Sequence, residues 1–61
     1  MNLTIDAVEA SYIVNALESM GEELMDLAAV QERNNDFVSA KNCKSTGKRY
    51  FAIAAKIKEA K

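Results

Sequence analysis

Apolar residues recur through the first half of the chain at Ala10, Ile13, Leu17, Met20, Leu24 and Leu27, a 3-4-3-4-3 spacing. At 100° per residue this keeps them on one side of a helix, and it predicts a long helix with a bundle-facing seam. Ile5, Tyr12, Ala16 and Val30 broaden one edge of the stripe, while Ser11, Asn15, Glu18, Glu22 and Asp26 fall opposite. Thr4 suits the N-cap, and Asp6 then lies in the first turn, where negative charge favours the helix dipole. With Thr4 as cap, Leu3 and Val8 have the spacing of a hydrophobic staple. Gly21 costs about 1 kcal/mol relative to Ala without ending a helix, and it allows close approach or a slight bend.

Arg33-Asn34-Asn35-Asp36 is the natural stop, because Asn tolerates left-handed backbone and both Asn and Asp favour caps and turns. The apolar pattern then resumes at Ala40, Cys43, Gly47, Tyr50, Ala54 and Ile57 with the same spacing. Phe51 and Ile53 flank this second stripe, and Lys41, Lys44, Lys48, Arg49 and Lys56 take the other side. The reading is an all-α fold, one domain over residues 1–61: a two-helix antiparallel hairpin with helices over about 5–33 and 36–60. Helix propensity is poor from Asn42 to Gly47. A break there, with Ser45 capping a third helix, is the alternative.

Each apolar arc is roughly 160° wide, more than one antiparallel neighbour covers. The surplus predicts a homodimer of hairpins, a four-helix bundle. Ile13, Leu17, Met20, Leu24, Leu27, Cys43, Gly47, Tyr50, Ala54 and Ile57 are its expected interface.

Composition sharpens this reading. The 61 residues hold no Pro and two Gly, too little turn chemistry for an all-β fold. A hydrophobic content of 49% argues against a disordered resting state. His is absent, which removes the usual general base and the commonest transition-metal ligand. One Cys makes neither an internal disulfide nor a zinc site, so a reducing cytoplasm is the expected location. The start carries neither a basic region nor an apolar signal core, and the Asn2-Leu3-Thr4 sequon means nothing without secretion. The longest apolar run, Tyr50 to Ala55, is far short of the roughly 20 residues of a membrane span.

Net charge is only −1, yet the charges are sorted. Residues 1–36 hold eight acids against Arg33, and residues 37–61 hold seven bases against Glu59. An acidic helix lying against a basic one accounts for this, because rim charges set register in paired helices. The sharper reading is a charged surface for a partner, with Glu18, Glu22 and Asp26 on the first helix and Lys41, Lys44 and Lys48 on the second.

The other chemical motifs are weak. The carboxylates Glu18, Glu22, Glu23 and Asp26 resemble a metal-binding helix face, but the bundle di-metal pattern needs His. A paired-carboxylate glycosidase site needs a sugar cleft, which so short a chain can hardly enclose. Ser45-Thr46-Gly47-Lys48 looks like part of a phosphate loop, but its earlier Gly position holds Asn42 and the final hydroxyl position holds Arg49. Lys41, Lys44 and Lys48 near Tyr50 and Phe51 suggest nucleic-acid binding, against which the chain is slightly acidic overall. The acidic helix raises the converse idea, a phosphate mimic. Cys43 sits in the apolar stripe, where a free Cys is ordinarily a small buried hydrophobe.

The sequence from Asn2-Leu3-Thr4-Ile5-Asp6-Ala7-Val8-Glu9-Ala10 through a long amphipathic helix, an Asn-rich turn and a Lys-rich helix resembles small accessory proteins of tailed phages and prophages. The resemblance covers most of the chain in size and pattern. It implies a dimeric helical hairpin, without cofactor, that binds a bacterial host or anti-phage defence protein in the host cytoplasm. It carries over no functional residue. A structural hairpin that works by oligomerising, and a small nucleic-acid-associated regulator, are the other functions the sequence allows. An enzyme is not expected, since no base–nucleophile pair or metal constellation is visible.

Overall fold

The computed structural model describes residues 4–60. They form two helices, α1 (Ala7–Arg33) and α2 (Phe37–Glu59), packed antiparallel in a rod of 43 × 19 × 15 Å. Helix α2 is continuous through Asn42–Gly47, so the three-helix alternative is not adopted. Packing along its whole length against α1 outweighs the weak local propensity, as most helical stability in proteins comes from tertiary contact.

The first helix starts two residues later than expected. Its cap is Asp6 rather than Thr4: the Asp6 carboxylate accepts from the Glu9 backbone N–H at 2.7 Å, and Glu9 accepts from the Asp6 N–H at 3.0 Å. This reciprocal capping box satisfies two donors, whereas a Thr4 cap would place Ala7 at the third helical position with nothing to return. Leu3, and with it the proposed staple, lies outside the described residues.

The turn works as the Asn-rich stretch suggested. Asn35 takes left-handed backbone at φ 62°. The Asn35 N–H donates to the Glu32 carbonyl at 3.0 Å, and the Asp36 N–H reaches back to the Gln31 carbonyl at 2.8 Å. These are the two bonds of a Schellman ending, with Asn at the position Gly usually fills. Asp36 then caps α2, its carboxylate accepting from the Ser39 N–H at 3.3 Å. Three residues thus end one helix and begin the next, which forces the two to lie side by side.

The core between the helices is made of small residues. Val14, Gly21 and Ala28 of α1 are buried, and so are Ala40, Gly47 and Ala54 of α2. Both rows repeat every seven residues, so in an antiparallel pair Val14 stands by Ala54, Gly21 by Gly47, and Ala28 by Ala40. The glycines let the backbones touch: a Cβ on Gly47 would lie 3.2 Å from the Gly21 carbonyl oxygen and 3.1 Å from the Met25 methyl. Gly21 in turn lies under the Phe51 ring, whose nearest carbon would stand 2.8 Å from an added Cβ.

The stripe expected for α2 therefore holds, and the one expected for α1 is displaced by one position. Its inner line runs Ala10, Val14, Leu17, Gly21, Leu24 and Ala28, with Met20 and Leu27 outside it, 44% and 47% exposed. Size misled the reading. The small row of α2 demands close approach, and only the small row of α1 permits it.

Candidate interaction surfaces

The hairpin is one layer thick and has two broad faces. Two ion pairs identify the first: Lys44 with Glu32 at 2.9 Å, and Lys58 with Glu18. All four residues follow a buried row position by four: Glu18 after Val14, Glu32 after Ala28, Lys44 after Ala40, Lys58 after Ala54. At 100° per residue these are the same flank of each helix. On this charged face Met25 and Phe51 cover the glycines between the ion pairs. The exposed residues Glu22, Lys41 and Lys48 extend it outward, acidic along α1 and basic along α2, and Asp26 lies at its outer edge.

The opposite flanks must then share the other face. They are the positions three after each buried residue, Leu17, Leu24 and Gln31 on α1 and Cys43, Tyr50 and Ile57 on α2, all half-buried. Beside them, one residue before each row position, stand Ile13, Met20 and Leu27 on α1 and Ser39, Thr46 and Ile53 on α2. Val30 and Ile53, 42% and 46% exposed, complete the patch. This face is apolar along most of α1 and the second half of α2, with Gln31, Ser39 and Thr46 polar towards the turn.

Eight of the ten residues expected at an oligomer interface lie there: Ile13, Leu17, Met20, Leu24, Leu27, Cys43, Tyr50 and Ile57. Gly47 and Ala54 do not. They are buried between the two helices of the same chain, because close approach of the backbones consumes the small residues first. The six charged candidates, Glu18, Glu22, Asp26, Lys41, Lys44 and Lys48, lie on or beside the opposite face. Glu18 and Lys44 are engaged in the two ion pairs, while Glu22, Asp26, Lys41 and Lys48 are exposed. Sequence reasoning did not find the Val14-Gly21-Ala28 row. The available signal was that it repeats with the same seven-residue period as Ala40-Gly47-Ala54.

Other candidate sites take shape differently from their motifs. Ser45-Thr46-Gly47-Lys48 is interior helix, so its backbone N–H groups serve the helix ladder instead of cradling a phosphate. Among the described residues no group of three His, Cys, Asp or Glu is placed to hold a metal ion. Cys43 is half-buried on the apolar face and forms no disulfide within the chain. An open groove at the free end of the hairpin is lined by Ile5, Ala10, Val14, Glu18, Ile57 and Lys58. No described helix is long and apolar enough to cross a membrane.

The chain was compared with family models, curated proteins and solved structures, and none matches it.

Proposed function

We propose that this chain is a non-enzymatic protein–protein interaction module that acts by stoichiometric binding as a homodimer. The observation that carries the reading is the apolar face. No large side chain is fully buried among the described residues, and the hydrophobic core is limited to Val14, Ala28, Ala40 and Ala54. A compact monomer of this mass exposes about 3900 Å². The hairpin exposes 4901 Å². The surplus, roughly 1000 Å², is of the size that each partner loses in a standard interface, about 800 Å². A domain this small rarely stands on so thin a core without a partner or a staple.

In this reading the apolar face serves self-association and the charged face serves the target. The phage-like pattern of the chain points to a bacterial host or anti-phage defence protein as that target, met in the host cytoplasm. Charged surfaces chiefly govern encounter rate and salt dependence. Recovery of tagged protein from bacterial lysate should yield one stoichiometric, nuclease-resistant partner. Reversing Glu18, Glu22 and Asp26 to Lys should lower that recovery while circular dichroism keeps its helical signal. Undiminished recovery with unchanged salt dependence would remove the acidic edge from the account, and nuclease-sensitive recovery would favour a nucleic-acid-associated regulator. Self-assembly without any partner would favour a purely structural hairpin.

A further inference from the structure

We propose that the homodimer has its two-fold axis parallel to the helices, so that α1 of each copy lies on α2 of the other, register being held by Glu23 against Arg49 and Glu9 against Lys56. This inference rests on the dimer reading above and adds its geometry.

Two hairpins that meet face to face through a two-fold axis have two choices. With the axis along the helices, α1 covers the partner's α2. With the axis across them, α1 covers the other α1 and α2 covers the other α2. Helices in contact are antiparallel in both, so helix direction does not decide.

Charge decides. The outer rim of the apolar face is formed by positions two after each buried row residue, Ala16, Glu23 and Val30 on α1 and Asn42, Arg49 and Lys56 on α2, with Glu9 one heptad before Ala16 at the start of α1. One rim is acidic and the other basic. The row pairing of Gly21 with Gly47 fixes their relative heights within one hairpin. An axis parallel to the helices preserves those heights in the second copy. Glu9 then stands three residues from Lys56 along the axis and Glu23 four from Arg49, offsets of about 4.5 and 6 Å. Both are within reach of the long side chains. The pairs occur twice by symmetry.

The crossed axis reverses this. Placed at the Gly21–Gly47 level, midway along the apolar face, it sets Arg49 against Arg49 and Glu23 against Glu23 of the other copy, each about 6 Å apart along the helix. Like charges at an interface rim disfavour that pairing. Apolar matching does not separate the two: the parallel axis sets Ile53 on Ile13 but Leu27 against Ser39, and the crossed axis sets Ile13 by Leu27 but Ile53 against Ser39.

Disulfide trapping distinguishes the two. In a Cys43→Ser background, Met20→Cys and Thr46→Cys are made as separate chains. Within one hairpin these positions sit on outward sides of different helices, too far apart to bridge. With the axis parallel to the helices, residue 20 of one copy meets residue 46 of the other. Mild oxidation of the mixed chains should then give a covalent heterodimer, and each chain alone should stay uncrosslinked. Crosslinking of each chain alone, without the mixed product, would overturn the arrangement while leaving the dimer intact. A monomer mass by light scattering for the parent chain would overturn both. As a second readout, Arg49→Glu should lower the dimer association constant about tenfold. Adding Glu23→Arg should recover most of it, and a double variant no tighter than Arg49→Glu alone would count against the pairing.

Discussion

The two faces of the hairpin are built from equivalent positions of the same two helices, yet they are finished in different ways. On one, Met25 and Phe51 lie over the glycines, and Glu18–Lys58 and Glu32–Lys44 bridge the helices on either side. On the other, Leu17, Leu24, Tyr50 and Ile57 stop half-buried, with Met20, Leu27, Val30 and Ile53 open beyond them. The bridged face is closed over its middle, though Phe37 on the same flank near the turn stays 61% exposed. An open one of this extent exceeds the scattered apolar exposure that an ordinary surface shows. The comparison teaches that where two helices touch through glycine and alanine, their large side chains are displaced outward, and something else must bury them.

A charge placed in the open face tests this most severely. Leu24→Asp should cost at least as much as truncating a core leucine, about 2–5 kcal/mol. That is a large share of a small domain's stability. Circular dichroism should show a largely unfolded chain, and the parent protein should melt at a temperature that rises with its concentration. Leu24 also packs by Gly47 within its own hairpin, so the discriminating result is the melt: if the face is bare in solution, melting will not depend on concentration.

The seam behind both faces comes next. Gly47→Leu drives a side chain into the Gly21 carbonyl and the Met25 methyl, and overpacking of this kind costs about 1–3 kcal/mol. Both faces depend on the close approach, so urea denaturation should show lower stability even in chains held as dimers. A gain in stability, from replacing a helical glycine, would mean that the helices are free to separate.

A smaller change should strengthen the open face. Gln31 continues the Leu17–Leu24 line towards the turn, and its Oε1 is buried without a hydrogen-bond partner. An unsatisfied buried acceptor costs about 1–3 kcal/mol, part of which Gln31→Leu should return by removing the amide and adding apolar contact. Thermal melting should shift upward, and more so at high protein concentration if the added surface lies in the dimer interface. The smallest effect belongs to the closed face. Lys44 and Glu32 keep 44% and 42% of their side-chain surface in solvent, so Glu32→Gln should change stability by no more than about 1 kcal/mol. Dimer mass should be unaffected.

Much of this was legible in the chain itself. Periodicity alone yields two helices, the position of the turn and the inner stripe of α2, since local spacing and Asn chemistry act over a few residues. Sorted charge anticipates that an acidic helix lies beside a basic one, which the two bridges between them bear out. The cap of α1 was also written in the sequence, as Asp6 followed by Glu9 three residues later. It was missed because Thr4 stood first.

What only the tertiary structure decided is which part of a wide apolar arc turns inward. Ile13, Met20 and Leu27 repeat as regularly as Val14, Gly21 and Ala28, so periodicity ranks them equally and side-chain size favours the wrong set. The choice is made between helices rather than within one. Ala40, Gly47 and Ala54 leave no bulk to fill a wide gap, so the backbones close until small meets small, and the larger residues turn outward, most of them to the open face.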